Sequence, residues 1–248
     1  MPSTNTTTDL ESLCNLWEST SVWSREHKAF NTEGGIYGKF FPKDASDTGI
    51  HLQGTTRFGR HTDFWSDLAR FLVQLPPHPG LSIVITAMSV GCDVYEFAKL
   101  CKDYEVSKKH PDAKIFGHDL SARFTKIAKA GLYPKGSRSS HKRMKDMLIE
   151  CDPPYEQFIE IHPNIKKEVT ILPPGDVRDL KKQLDGPCDV LVSNFINPCP
   201  PGIDDVIKDN SRHLACSNQR YIGISPEWAG HYHDMDFKSS RISRDLSL

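Results

Sequence analysis

Four polar groups stand just past four apolar runs in this chain, and together they can grip a polar ligand. After 81-LSIVITA-87 come Ser89-Val90-Gly91, and Cys92-Asp93 then opens a helical pattern. A glycine there lets backbone approach a ligand closely, and the unpaired N–H groups of a helix N-terminus attract acceptors. Asp93 in that first turn would compete with a phosphate for those donors, which argues against a pyrophosphate. It suits a ligand carrying an ammonium or hydroxyls, or it simply complements the helix dipole. The next run ends in Gly117-His118-Asp119. An acid just past a second strand can accept from both vicinal hydroxyls of a ribose; the alternative is that Asp119 caps the helix after it. Asp176, after Pro173-Pro174-Gly175, and Asn194 follow the third and fourth runs. Asp176 can accept from an adenine amino group and Asn194 can touch the ligand or an acceptor, unless both are ordinary turn residues.

Those groups need elements to hold them, and the hydrophobic pattern supplies a regular alternation. Strands are expected at 81–87, 113–118, 168–172, 188–193 and 219–225, with helices at 93–103, 121–131, 177–184 and 203–214. Before them, Phe64, Trp65, Leu68 and Leu72 form one helical stripe, which Pro76-Pro77 ends. Gly131 suits the close of helix 121–131. Such alternation implies an α/β fold, a doubly wound and mostly parallel sheet, which binds ligands at the carboxyl ends of its strands. Residues 135–168 break the rhythm with the basic run KGSRSSHKR and with CDPPYEQFIEIHP, which suggests short irregular strands. The expected organisation is an N-terminal extension at 1–55, where Leu10, Leu13, Leu16 and Trp17 share a helical face, then one domain over 56–248. That domain carries a small β-containing insertion at about 135–168, and its tail over 229–248 reads as polar and loosely ordered.

Bulk properties narrow the class. The 248 residues are 38% hydrophobic and 25% charged, an ordinary globular balance. A formal net charge of -1 sets up no global field toward nucleic acid or an anionic membrane, so neither is expected as a partner. No apolar run nears the roughly 18 residues that span a bilayer, and no secretion signal is visible, so a cytoplasmic protein is expected. Seven cysteines lie at irregular spacing with no C-x-x-C, which points to reduced thiols and no zinc site. His231-Tyr232-His233-Asp234 reads as a solvated loop, and no metal is expected.

The ligand can be narrowed further. Ala87-Met88-Ser89-Val90-Gly91 is not the G-x-G-x-x-G that cradles a dinucleotide, which disfavours a nicotinamide oxidoreductase. A cofactor with ribose and adenine but no phosphate, S-adenosylmethionine, fits better, and its ammonium suits Asp93. The order of motifs then resembles the chemotaxis-receptor glutamate methyltransferases, the CheR-like family. Their T-x-F-F-R-D is similar to Thr56-Arg57-Phe58-Gly59-Arg60-His61, and their S-T-G-E-E-P-Y-S to Ser89-Val90-Gly91-Cys92-Asp93-Val94-Tyr95-Glu96. The family's second-strand aspartate and A-R-x-G-x-Y-P look like Asp119 and Ala128-Lys129-Ala130-Gly131-Leu132-Tyr133-Pro134. Its β insertion is similar to 135–168, its asparagine-leucine pair to Asp176-Val177, and its F-D-x-I-F-C-R-N to 188-CDVLVSN-194. The resemblance covers about 56–228. It implies a class I methyltransferase fold, S-adenosylmethionine as cofactor, and a protein or small-molecule carboxylate as methyl acceptor.

From the resemblance, Thr56, Arg60, Asp93, Asp119 and Asn194 are the expected cofactor contacts, and Arg60 sits beside the transferred methyl. Ser89, Gly91 and Asp176 join them from the strand-end positions. Transfer to a carboxylate is an in-line displacement needing no general base, because the acceptor is already ionised near pH 7. The catalytic burden then falls on positioning, with the Arg60 guanidinium orienting the acceptor. Tyr133 is expected to be structural. Three departures stand out: Gly59 replaces the second phenylalanine, Cys92 the first loop glutamate, and Pro198 the expected tyrosine. They motivate an alternative, a non-catalytic cofactor-binding or protein-interaction module. Asn197-Pro198-Cys199-Pro200 loosely resembles the N-P-P-Y of amine methyltransferases, which adds N-methylation as a further reading of the acceptor.

Overall fold

The computed structural model describes residues 12, 58–59, 61–134, 146–153, 155–156, 158–193, 202–217 and 220–232. The N-terminal extension expected at 1–55 thus lies, apart from Ser12, outside the described residues. The described chain begins with α1 (Thr62–Gln74), β1 (Ser82–Thr86), α2 (Cys92–Asp103), α3 (Val106–Lys109), β2 (Lys114–His118) and α4 (Ala122–Ala130). Three short strands follow, β3 (Leu132–Pro134), β4 (Leu148–Glu150) and β5 (Phe158–Ile161), then α5 (Pro163–Lys166) and β6 (Val169–Ile171). A 3-10 turn at Val177–Asp179 leads into α6 (Leu180–Leu184) and β7 (Cys188–Ser193). The last elements are α7 (Ile203–Asp209), β8 (Ser211–Ser217), β9 (Arg220–Ile224) and α8 (Pro226–Tyr232).

Six strands form one sheet in the order β6-β2-β1-β7-β8-β9, parallel except for β9 on the edge. Alternation along β1 shows why helices must cover both faces. Ile83 and Ile85 enter a core built with α1, α2 and α4, while Val84 enters a second core with Leu180 and Ile207. All three residues are wholly or almost wholly buried, each contributing about 1.5–3 kcal/mol. The stripe Phe64, Trp65, Leu68 and Leu72 is buried against the first core as the spacing predicts. Gly131 closes α4 in the left-handed conformation, φ 67°. The doubly wound α/β architecture is therefore present, and the chain order reverses between β1 and β7.

The expected insertion is a separate antiparallel sheet, β3-β5-β4, whose first strand begins at Leu132, just before the predicted boundary. Two expectations need correction. The helix predicted over 203–214 ends at Asp209, and Ser211–Ser217 is a strand. Asn210 stops the helix by donating its side-chain N–H to Val206 O at 2.8 Å, and its own carbonyl accepts from Cys188 N–H as pairing with β7 begins. Burial of Leu214, Ala215 and Cys216 beside β7 outweighs the helical spacing of the segment. The tail expected to be loosely ordered from 229 starts instead with α8, held by Trp228, which packs edge-on to Phe71 at 6.2 Å.

Candidate functional site

At the carboxyl edge of the sheet, strand register aligns His118, Thr86, Ser193 and Ser217 in one row across β2, β1, β7 and β8. All four side chains are buried. The row straddles the point where the strand order reverses, which is where open α/β sheets bind ligands.

The turn leaving β1 is tight and strained. Gly91 N–H returns to Met88 O at 3.0 Å, and Met88 N–H reaches His118 O at 3.3 Å. Ala87 and Ser89 both take left-handed backbone with φ 53°, an arrangement costing about 1–3 kcal/mol per residue. Asp119 holds this turn in place. Ser89 N–H donates to Asp119 Oδ2 at 2.8 Å, and Ser121 N–H to Oδ1 at 2.9 Å. Burial pushes the Asp119 carboxyl up to about 6, although these N–H groups favour its anion. Asp119 is not the helix cap; Ser121 is, accepting from Phe124 N–H at 3.3 Å. With the Leu120 N–H also donating, the carboxylate keeps a lone pair that a ligand hydroxyl could use.

Two neighbours fix the far side of the turn. The Tyr133 hydroxyl donates to Val90 O at 2.7 Å, giving this fully buried ring the expected structural role. Gly91 opens α2 with φ 91°, and a Cβ there would lie 2.8 Å from Ala128 Cβ and 3.3 Å from Tyr133 Oη. Its glycine is thus demanded by the left-handed backbone and by packing against α4. Cys92 and Asp93 occupy the first turn of α2, both buried.

His118 completes the rim. Its Nδ1 lies 2.9 Å from Thr86 Oγ1, and burial lowers the imidazole to about 4, so the ring is neutral near pH 7. His118 Nε2, Ser89 Oγ and Ser193 Oγ are buried with no hydrogen-bond partner among the described residues. Leaving a buried polar atom unpaired costs about 1–3 kcal/mol, and three on one strand rim are what a polar ligand would satisfy. The donors and acceptors present fit ribose and amino groups better than a phosphate, since Asp119 lies at the rim and Asp93 in the adjoining first turn.

The other expected residues divide. Gly175 N–H donates to Asp119 O at 3.1 Å, which ties the loop after β6 to the rim. Asp176 itself caps the 3-10 turn and accepts from Arg178 N–H and Nε–H, both at 2.9 Å. The Arg178 guanidinium holds its carboxyl below the usual range. Asp176 is therefore engaged locally by Arg178. Thr56, Arg60 and Asn194 lie outside the described residues.

Glu96 is a site-building residue that the motif reading left without a role. It is fully buried in α2, accepts from Gly59 N–H at 2.8 Å and from the Thr62 hydroxyl, and so ties Gly59 and Thr62 to α2. A glutamate between Tyr95 and Phe97 on a buried helix face was the available signal. At the opposite edge of the sheet, His78, Asp189 and His213 can bring one donor atom each within 4.8 Å of one another. Their wide separation in sequence left no motif to find. No protein-family model and no curated protein matches the chain, so the geometry of these two edges is the basis for a functional reading.

Proposed function

We propose that the chain is an S-adenosylmethionine-dependent methyltransferase of the class I type, acting on a carboxylate. The observation that carries the reading is the bond from Ser89 N–H to Asp119. It locks the loop after β1, which flanks the reversal point, to the acid after β2, beside three buried polar atoms with no partner among the described residues. In this reading Asp119 holds the ribose hydroxyls, and Ser89 with the first turn of α2 faces the methionyl end. Thr56, Arg60 and Asn194 are assigned by the resemblance. When bound, the cofactor supplies an electrophilic methyl group.

The chain's own residues then have limited chemistry to do. A carboxylate acceptor is ionised near pH 7, so the absence of charge on His118 is no handicap and no base is required. Arg60 would orient the acceptor, and Glu96 would set Arg60 by fixing Gly59 and Thr62. Asp119 must be ionised to accept from two hydroxyls. Cofactor affinity is therefore expected to fall as pH drops through about 6, where the carboxyl takes up its proton.

Calorimetric titration with S-adenosylhomocysteine, the product, tests the reading. Saturable binding supports it, and no binding at millimolar ligand would overturn it. Methyl transfer from labelled S-adenosylmethionine to a panel of carboxylate, amine and protein acceptors then separates the enzyme from its alternative. Binding without transfer across that panel favours a non-catalytic module.

A further inference from the structure

The amino edge of the sheet carries a second constellation, remote from the rim just described. Its residues come from three elements: His78 from the loop before β1, Asp189 from β7 and His213 from β8. A bulge brings them together. Cys188 pairs with Ser211 and Val190 with Leu214, so the single residue Asp189 faces two residues, Arg212 and His213. Bulges of this kind re-aim side chains, and here Arg212 meets the Asp189 carboxylate at 3.3 Å while a His213 ring nitrogen lies within 4.8 Å of it.

The supports around the three are those of a built site. Asp189 is buried, and its Oδ2 accepts from Ser82 N–H and from the Ser82 hydroxyl, each at 2.7 Å. That leaves Oδ1 toward His78 Nε2 at 3.7 Å and Arg212 NH1 at 3.3 Å. His213 Nδ1 lies 3.1 Å from Ser225 Oγ and 3.6 Å from Glu227 Oε2, and its ring stacks on Trp228 at 4.6 Å. Metal-binding histidines are characteristically oriented through such a bond at the other ring nitrogen. His78 is held by its backbone N–H, which donates to His110 Nδ1 at 3.1 Å, so its imidazole is not needed for that anchor.

We propose that His78, Asp189 and His213 form a binding site for a divalent transition-metal ion of the zinc class, with Arg212 as its built-in competitor. Two imidazoles and a carboxylate suit Zn²⁺, with a fourth position left to water. Tetrahedral ligands at about 2.0–2.2 Å from the ion lie about 3.3 Å apart, so donors within 4.8 Å of one another must draw together by up to about 1.5 Å. The half-exposed His78 and the loop it sits on can supply that movement. Arg212, about half exposed, must swing from Asp189 into solvent. The site does not depend on the methyltransferase reading.

The test uses the full chain, stripped with a chelator and titrated with zinc, then with cobalt(II) as a spectroscopic probe. Expected are one ion per chain, the visible absorption of tetrahedral cobalt, and quenching of Trp228 fluorescence that a Trp228→Phe variant lacks. His78→Ala and Asp189→Asn should each weaken zinc binding about 10-fold or more. Arg212→Gln should tighten it several-fold, a gain that misfolding cannot imitate. No stoichiometric binding would overturn the proposal. So would binding that is unchanged in His78→Ala, or that is lost on replacing His231 and His233 instead.

Discussion

Asp119 and Asp189 are both buried carboxylates at strand ends of the same sheet, yet the two edges treat them in opposite ways. Asp189, at the amino edge, is met by three side chains, the Ser82 hydroxyl, Arg212 and His78, beside the Ser82 N–H. Asp119, at the carboxyl edge, is held among the described residues only by backbone N–H groups of turns, and burial raises its pKa. The amino edge is a neutralised network that ties strands together. The carboxyl edge keeps a strained turn, a carboxyl near the pH of use and polar atoms unpaired among the described residues, a combination that gives no stability by itself. Stability is held back where a ligand is expected to supply the missing partners.

The sharpest break in that comparison should come from two glycines flanking β1. Gly91→Ala forces a left-handed residue and a Cβ into Ala128, and about 2–4 kcal/mol of stability should be lost. Gly80, at the amino edge, is also left-handed at φ 72°, but a Cβ there meets nothing within 4 Å. Gly80→Ala should cost only about 1 kcal/mol. Urea unfolding of both variants measures the gap, and equal losses would remove the packing argument for Gly91.

A second test uses pH. The raised pKa of Asp119 means the native state holds its proton more tightly than the unfolded chain. The stability it lends is complete below about 3.8 and lost as pH rises through about 6. His118 is the reverse: its lowered pKa gives stability that is complete above 6.5 and lost as pH falls through about 4. The neighbours oppose each other in one window. Relative to wild type, Asp119→Asn should therefore gain roughly 2–3 kcal/mol between pH 4 and 7, whatever its constant cost. His118→Gln should show the opposite slope over the same range. Parallel melting curves for both variants would contradict the assigned shifts.

Smaller effects sharpen the picture. Tyr133→Phe deletes the donor to Val90 O and should cost about 1 kcal/mol, with weaker binding of S-adenosylhomocysteine as the loop loosens. Arg178→Ala should leave melting unchanged, because the guanidinium is exposed. It also frees Asp176, so a gain in affinity for the same ligand would show that this carboxylate reaches the adenine after all.

Much of this was legible in the chain. The alternating apolar runs located β1, β2, β6 and β7, and with them the places where Ser89 and Asp119 must stand. Their direct bond was not legible, because it depends on the left-handed turns at Ala87 and Ser89, residues that carry no such signal. The local partner of Asp176 was not read from the chain either: Arg178, two residues on, donates to its oxygens. Ile203, Val206, Ile207 and Leu214 fit a helix as well as they fit a helix followed by a strand. Pairing with β7 made that choice. Glu96 and the cluster of His78, Asp189 and His213 are created by folding, since only the packed elements bring their partners near.

The central claim is that the carboxyl edge binds the cofactor and the amino edge does not. Calorimetry with S-adenosylhomocysteine on Asp119→Ala and Asp189→Asn, each confirmed as folded by its melting transition, tests it directly. Asp119→Ala should lose about 1–3 kcal/mol of binding energy while Asp189→Asn binds like wild type. Equal affinity in Asp119→Ala, or a loss confined to Asp189→Asn, would contradict it.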